Sequence, residues 1–505
     1  MQYALNSQQM KEADSRMIQQ MGIPPLVLME RAALETVAAM KEEKTDLSRA
    51  LIVCGSGNNG GDGFAIARLL AEEGCRPETV FVGKMESRSP ETRQQMEILE
   101  HMGIPAGNTW EKEEYSVIID AVFGIGLSRP VEGHYKEVLE QMNRCRGRKV
   151  AVDIPSGISA DTGDIMGCAF QADMTVTFAY PKVGLLLYPG KSVAGKVLVR
   201  KVGIWNPEFR NREDVCFTLD REDILKRSPL RPEDSHKGTY GKLLLIAGSE
   251  GMCGAAYLAA KAAYKAGAGL VRIYTEETNR VILQQLLPEA LISTWRQQDG
   301  DVPKGLMPLM EWADVICLGS GLGKREIAVN IVRAVLDYGQ KPCLIDADGL
   351  NILSRFLEDE KEKIAGGDYV FTPHMMEMSR LSGYGVEELK QERLALLREF
   401  TEEYRAVCVM KDSRTLVGQK GKPVYISTSG CAAMAKAGSG DVLAGTIAGL
   451  MAQHMSGFDA AVLGVYLHGL AGCLAEKEKG SYSVMAGDLP EYAGKIWREL
   501  EDAQK

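Results

Sequence analysis

The sequence predicts an α/β protein made of two parallel-sheet domains in tandem. Three observations carry this expectation. Short β-rich runs alternate with amphipathic stretches through the first half of the chain. The same rhythm restarts in the second half. Between them, residues 206–234 change character, with Asn206-Pro207, the charged run Arg210-Asn-Arg-Glu-Asp214, Ser228-Pro229 and Arg231-Pro232. Parallel strands need long crossovers, which in such alternation are helices lying on both faces of the sheet. A chain of 505 residues has room for two to four domains. The reading is a first domain over 1–215, a linker over 216–234 and a second domain over 235–505.

In the first half, residues 49–54 (Arg-Ala-Leu-Ile-Val-Cys) read as a buried strand. Residues 79–82, 117–121, 149–153 and 174–179 are further strand candidates, with amphipathic stretches at 63–73 and 93–102. In the second half the strand candidates are 242–247, 269–274, 315–318, 343–346, 369–372 and 406–411. Residues 255–266 form an alanine-rich helix expected to pack closely on a sheet. No internal repeat interrupts this pattern.

Composition narrows the function class. At 45% hydrophobic and 25% charged the chain is ordinary globular material. A net charge of −9 and a pI near 5.5 argue against general nucleic-acid binding. The 11 cysteines include no C-x-x-C pair, which argues against zinc. Cys54, Cys317, Cys343 and Cys408 sit in apolar runs and read as buried thiols, so a reducing, cytoplasmic setting is expected. The start, Met1-Gln-Tyr-Ala-Leu-Asn-Ser7, lacks a basic-then-apolar signal pattern. No apolar run approaches about 18 residues, so no membrane span is expected. The six histidines form no H-x-x-x-H pair.

Three strand ends in the first half carry polar loops. Gly55-Ser-Gly-Asn-Asn-Gly-Gly-Asp-Gly63 contains G-x-G-x-x-G by letter. The dinucleotide fingerprint also wants an acid at the end of the next strand, and Val80-Phe-Val-Gly83 has none. Asn58, Asn59 and Asp62 crowd the loop with groups that a plain pyrophosphate turn does not need. Asp120 ends a second strand, before Gly124-Ile-Gly-Leu-Ser-Arg-Pro130, and Asp153 ends a third, before Ile154-Pro-Ser-Gly157. Each Asp alone could be a turn cap. Together they belong at the carboxyl ends of a parallel sheet, where ligands bind. Asn59, Asp120 and Ser156 offer hard oxygen donors with one negative charge, which suits a monovalent cation such as K⁺ better than Mg²⁺ or Ca²⁺.

In order, Leu28-Met-Glu-Arg-Ala32, Asn58-Asn-Gly-Gly-Asp62, Asp120 with Gly124-Ile-Gly-Leu127, Asp153-Ile-Pro-Ser-Gly157, Tyr180-Pro-Lys182 and Leu187-Tyr-Pro-Gly190 resemble the NAD(P)H-hydrate epimerase domain, over roughly 1–215. The resemblance implies a Rossmann-like three-layer sandwich. It also implies that Asn58, Asn59, Gly60, Gly61, Asp62 and Gly124, Ile125, Gly126, Leu127, Ser128, Arg129 and Pro130 hold the hydrated dinucleotide. By the same resemblance Asn59, Asp120 and Ser156 hold K⁺, and Asp153 touches the substrate as the acid/base. Lys182 is a second candidate, with a plain surface lysine as the alternative.

The second half centres on Lys436-Ala-Gly-Ser-Gly-Asp441, a small-residue loop running into an apolar helix. Such a loop aims backbone N–H groups and a helix dipole at an anion. A carboxylate there repels phosphate, but it makes sense if Asp441 takes a proton from a hydroxyl that is receiving a phosphoryl group. No Walker loop occurs. His236-Lys-Gly, Asp346-Ala-Asp-Gly-Leu-Asn351, Thr372-Pro-His374 and the Gly-Ser-Gly-Asp loop are similar to the ribokinase-like fold and, within it, to ADP- or ATP-dependent NAD(P)H-hydrate dehydratase, over roughly 225–500.

By that resemblance Lys411, Asp412, Ser413, Arg414 and Thr415, with Cys431, Ala432, Ala433, Met434, Ala435, Lys436, Ala437, Gly438, Ser439 and Gly440, bind ADP, accompanied by Mg²⁺. Gly323, His374, Met375, Met376, Glu377, Met378, Ser379, Arg380 and Asp441 face the hydrate. Met376 and Asp412 stand where the family usually has Gly, and Gly430-Cys-Ala-Ala433 stands where it usually has Gly-Asn-x-Gly. A lost glycine is expected to remove a left-handed backbone or a close approach.

The expected activity is therefore repair of hydrated NADH and NADPH. The front domain would interconvert the R and S hydrates, and the back domain would dehydrate the S hydrate through a phosphorylated intermediate. The partner is a small-molecule dinucleotide, and the assembly a homo-oligomer. The alternative is a ribokinase-like small-molecule kinase with a non-catalytic dinucleotide-binding front domain.

Overall fold

The computed structural model describes residues 1–296, 302–303 and 305–502. The chain divides into two compact units, Gln2–Cys216 and Phe217–Lys505 together with Met1. The stretch read as a linker carries structure of its own, a strand at Cys216–Thr218 and a helix at Arg221–Arg227.

The parallel sheet of the first unit has six strands: β1 (Ala50–Cys54), β2 (Glu78–Phe81), β3 (Glu114–Ala121), β4 (Arg146–Val152), β5 (Met174–Phe178) and β6 (Lys196–Arg200). All pairs are parallel, in the order β2-β1-β3-β4-β5-β6. The order reverses between β1 and β3, so a crevice opens beyond their carboxyl ends. Helices α1 (Ser7–Ser15), α2 (Pro25–Glu42), α3 (Asn58–Glu72), α4 (Pro90–His101) and α5 (Gly133–Arg144) dress the sheet. Ile52, Ile119, Val150 and Val176 point into one core with α2, α3 and α4, while Leu51, Val53, Ile118 and Ala151 point into another with α5. This alternation along each strand is the three-layer sandwich.

Two glycines make the first turn possible. A Cβ on Gly55 would lie 2.0 Å from the Val122 carbonyl oxygen, and one on Gly60 would lie 1.9 Å from that of Gly55. The Asn-Asn-Gly-Gly-Asp stretch is not a free loop, as the sequence alone indicated, but the first turns of α3. Its small residues let the helix start directly against the strand ends.

In the second unit the strands are β7 (Lys242–Ile246), β8 (Leu270–Glu276), β9 (Leu291–Trp295), β10 (Val315–Leu318), β11 (Cys343–Ile345), β12 (Tyr369–Phe371), β13 (Val407–Met410), β14 (Leu416–Gly418) and β15 (Val424–Ile426). Their order is β15-β14-β13-β12-β11-β10-β7-β8-β9. Pairing is parallel from β9 to β13 and antiparallel at β13–β14 and β14–β15. The main helices here are α6 (Cys253–Ala266), α7 (Ala347–Leu353), α8 (Met375–Ser382), α9 (Ser439–Ala452), α10 (Gly457–Lys479) and α11 (Leu489–Asp502).

The alanine-rich α6 packs backbone to backbone on α9. A Cβ on Gly445 would lie 2.0 Å from the Ala259 carbonyl oxygen, and one on Gly449 would lie 2.6 Å from that of Ala263. Helix α10 is long and apolar enough to cross a membrane, although no apolar run of that length was expected from the sequence. The flanking Asp459 and Glu476 mask it to the eye, and its glycines and alanines supply the apolar surface. Its most apolar window is 72% buried, with α9 and α11 packed on it, as in a core helix.

Candidate active sites

A cavity of about 700 Å³ opens in the first unit at the crevice between β1 and β3. Asn58, Asn59, Asp62, Gly124, Ile125, Gly126, Leu127, Ser128, Arg129 and Asp153 line it. Gly60, Gly61 and Pro130 do not. Gly60 and Gly61 pack instead, and a Cβ on Gly61 would strike the Met29 side chain at 2.5 Å. Helix α3 begins here with no side-chain cap; the Gly60 and Gly61 N–H groups donate to the Gly57 carbonyl, which leaves those of Asn58 and Asn59 for an anion.

Asp120 and Ser156 lie beneath the cavity floor, both fully buried. The Ser156 hydroxyl donates to Asp120 Oδ1 at 2.6 Å, and the Ser156 N–H donates to Oδ2 at 2.7 Å. Burial pushes the Asp120 carboxyl up to about 6, against the pull of these bonds. Asn59 is buried, and neither its amide oxygen nor its amide nitrogen has a partner. Gly124 is the close neighbour of its side chain. A buried amide without partners is costly, and here it marks a place for a ligand. Among the described residues no cluster of three His, Cys, Asp or Glu forms a metal site. The donors present are amide, hydroxyl and one carboxylate, which fit a monovalent cation.

Asp153 holds an unusual backbone, with φ at 66°. For a non-glycine residue this conformation stores strain and is typical of functional positions. It turns the carboxylate onto Lys182, whose ammonium donates to Asp153 Oδ1, to Thr177 Oγ1 at 3.0 Å and to the Phe178 carbonyl oxygen at 3.1 Å. The Thr177 hydroxyl and the Phe178 N–H also donate to Asp153 Oδ1, at 3.2 and 3.1 Å. Lys182 is 1% exposed, so the surface-lysine alternative is wrong.

Two further carboxyls face the same cavity, Asp62 and Asp14. Burial, reinforced by Asp153, pushes Asp62 well above the carboxylate range. Burial also pushes Asp14 up to about 6, with Lys182 opposing it. Sequence reasoning missed Asp14. Its signal was an acid on the same face of α1 as Met10 and Met17, which are both buried.

The second unit gathers Asp346, Lys411 and Asp441. Asp346 is 1% exposed. Its Oδ1 accepts from Thr372 Oγ1 at 2.7 Å and Lys411 Nζ at 2.8 Å, and its Oδ2 accepts from Ser320 Oγ at 3.3 Å. Burial disfavours the Lys411 ammonium, but Asp346, Glu377 and Asp441 outweigh it and hold its pKa above the ordinary lysine value. Asp441, in the first turn of α9, is pushed up to about 6 by burial and then by Asp346, while Ser320 and Lys411 pull it down. Gly438 takes the left-handed cap of α9, with φ at 92°, and a Cβ there would meet Leu258 at 2.6 Å. At the same helix start Ser439 Oγ is buried without a partner. His468 of α10 is kept neutral by burial, its pKa pushed down to about 4.

Asp348 Oδ2 accepts from the Gly323 N–H at 2.9 Å, which ties Gly323 to this site. His374 and Glu377 cap α8 reciprocally: His374 Nδ1 accepts from the Met376 N–H at 3.1 Å, and Glu377 Oε2 accepts from the His374 N–H at 2.9 Å. Met375 is half-buried and Met376 exposed, but Met378 is core, against Cys408. The Ser379 hydroxyl donates to the Tyr384 carbonyl, and Arg380 Nη1 donates to Asn351 Oδ1 at 2.6 Å. Asp412 and Ser413 are exposed, and Arg414 and Thr415 half-buried. Ala432, Ala433 and Met434 form a short 3₁₀ turn after Cys431. Lys436 Nζ donates to the Tyr482 carbonyl at 2.7 Å, pinning the chain between the exposed Ala435 and Ala437. None of Met376, Asp412, Cys431, Ala432 or Ala433 has positive φ. These side chains therefore sit on backbone free of left-handed strain.

The YjeF-related protein N-terminus family matches residues 25–184, and the NAD(P)H-hydrate dehydratase family matches residues 243–495. A bifunctional NAD(P)H-hydrate repair enzyme of Moorella thermoacetica is 35% identical over 99% of this chain and 97% of its own length. The chain belongs to the bifunctional NAD(P)H-hydrate repair enzymes. The Escherichia coli member is 33% identical, over 93% of this chain and 89% of its own. A solved ribokinase-like superfamily protein of Enterococcus faecalis is 29% identical with a TM-score of 0.50, over 56% of this chain and 96% of its own. Relatives of this family span both units, which disfavours a kinase joined to a non-catalytic front domain.

Proposed function

We propose that the chain restores hydrated NADH and NADPH in two steps: epimerisation of the hydrate in the first unit, then nucleotide-dependent dehydration in the second. The hydrate carries a carbinol beside the ring nitrogen, and hydroxide leaves poorly. Phosphorylation turns that oxygen into a good leaving group, and the nitrogen lone pair expels it. The observation that carries this reading is Asp441 at the uncapped start of α9, where its carboxyl, pushed up to about 6, lies in the field of Lys411. Asp441 takes the hydroxyl proton, and the Gly438–Gly440 loop at the helix start neutralises the phosphoryl group in transfer.

The phosphoryl donor is ADP or ATP, resting on the segments 411–415 and 431–440. Mg²⁺ fits as an ion carried on the nucleotide phosphates. Gly323 and the 374–380 segment face the hydrate, with Met378 acting from the core behind them. In the first unit Asn59, Asp120 and Ser156 hold K⁺, which when bound supplies positive charge beneath the substrate. Asp153, paired with Lys182, acts as the base of epimerisation. The S hydrate is the one dehydrated, so the epimerase feeds the R hydrate into repair. The assembly is a homo-oligomer, which light scattering of the purified chain tests.

The reading is tested by phosphorus NMR of the reaction. Transient phosphorylation that ends in free phosphate and reduced nicotinamide supports it. A stable phosphorylated product without nicotinamide recovery supports the kinase reading instead.

A further inference from the structure

The first-unit cavity collects three carboxyls, Asp14, Asp62 and Asp153, around one buried ammonium, that of Lys182. Of the other charged groups lining it, Lys11 and Arg129 are exposed and Glu91 is half-buried. One cation does not neutralise three carboxylates in a half-buried space, so protons stay on some of them. Asp153 takes the cation and two further hydrogen bonds, from Thr177 and Phe178. Of the three carboxyls it alone has these donors among the described residues.

Asp14 is held in place by α1, whose Met10 and Ala13 pack with Phe209 and Val215. The unpartnered amide of Asn59, 9% exposed, lines the same cavity and marks it independently as a ligand site.

We propose that Asp14 is a catalytic acid of the epimerisation centre, paired with Asp153 as base. The proposal rests on the epimerase reading of the first unit. Asp153 removes the proton of the carbinol hydroxyl, and that O–H electron pair forms a carbonyl. The carbon–nitrogen bond breaks, its electron pair goes to the ring nitrogen, and Asp14 protonates that nitrogen. The opened aldehyde rotates about its single bond to the ring carbon. The nitrogen then adds to the opposite face and returns its proton to Asp14, while the oxygen takes its proton back from Asp153. No water, oxidant or further reactant enters, and both carboxyls end as they began.

Asp14 suits the role better than Asp62. An acid that must cycle works best with a pKa near the working pH. Asp14 is pushed up to about 6, whereas burial and the neighbouring Asp153 push Asp62 well above the ordinary carboxylate value, which favours its protonated form.

The test is epimer interconversion by the full-length protein, followed by proton NMR from one pure epimer, for wild type, Asp14→Asn and Asp14→Glu, with melting temperatures alongside. The expected result is a fall in turnover of about a hundredfold for Asp14→Asn, with KM little changed and the alkaline limb of the pH–rate profile gone. Asp14→Glu restores that limb with a displaced midpoint. Wild-type turnover and pH profile in Asp14→Asn overturn the proposal. So does an Asp14→Glu as slow as Asp14→Asn at an unchanged melting temperature. A wild-type protein no faster than the enzyme-free control sinks the epimerase reading itself, a different and separately visible result.

Discussion

The Lys411 ammonium stands 2.8 Å from Asp346 Oδ1, and the two residues' side chains are 17% and 2% exposed. Asp441 lies in the field of both. One cation thus holds a buried carboxylate in place and lowers the cost of ionising a second one beside it.

Removing that cation strands Asp346. Lys411→Met is expected to destabilise the second unit by about 3 kcal/mol, since breaking a buried pair leaves an uncompensated charge. Urea denaturation followed by circular dichroism measures it. Dehydration of the S hydrate should fall with it, and the double variant Lys411→Met/Asp346→Leu should regain part of the stability but none of the activity. A single variant as stable as wild type contradicts the pairing.

The raised Asp441 carboxyl has two consequences of opposite sign. As a base it works only when ionised, so the dehydration rate should climb as pH rises through about 6 and then level off. For stability, a carboxyl whose folded pKa is raised contributes fully below its unfolded value and loses that contribution as pH rises through the folded one. Asp441→Asn should therefore be inactive in dehydration and, at neutral pH, more stable than wild type by about 1 kcal/mol after allowing for solvent screening. Thermal melts of the two proteins at acid and neutral pH decide this, and an Asn variant less stable at neutral pH counts against it.

Gly438→Ala meets both a left-handed backbone and a Leu258 contact at 2.6 Å. A cost of about 1–3 kcal/mol follows from the backbone strain, and the phosphoryl-binding turn should shift with it. Dehydration should weaken while epimer exchange, carried by the other unit, stays at the wild-type rate. Equal loss of both activities argues against two separate sites.

Asn59 gives the cation reading a test apart from catalysis. Its amide has no protein partner, so Asn59→Leu should cost little stability, within about 1 kcal/mol, in buffer without K⁺. Adding K⁺ should raise the melting temperature of the wild type and leave Asn59→Leu unmoved. A K⁺ response identical in both proteins rules Asn59 out as a ligand.

Much of this architecture was legible in the sequence, because buried parallel strands such as 50–54 and 315–318 are continuous apolar runs that periodicity detects. β6, Lys196–Arg200, is only partly buried, and its three apolar residues are bracketed by Lys196 and Arg200, so it hid among charged residues. β14 and β15 are three-residue strands flanked by Gly, Lys and Ser, too short to leave a pattern. At the sites, residues named by ordered motifs, such as Asn59, Asp153 and Asp441, stood out because glycine-rich strand ends surround them. Asp14 did not, because one acid on an amphipathic helix looks like a solvated face until the fold turns it inward. Lys182 failed the other way: a lysine after proline reads as surface, and only the carboxylate it meets explains its burial. The glycines replaced at 376, 412 and 433 stood out by letter, and none of the residues now there adopts positive φ, so their side chains sit on ordinary backbone.

The most direct test of two-step repair is recovery of reduced-nicotinamide absorbance from a mixed R and S hydrate of NADH, given ADP or ATP, Mg²⁺ and K⁺. The wild-type chain should restore both epimers completely and Asp441→Asn neither. Asp153→Asn should restore the S share at the wild-type rate and the R share only as fast as the epimers exchange without enzyme. A flat trace with the wild type, or full recovery by Asp441→Asn, contradicts it.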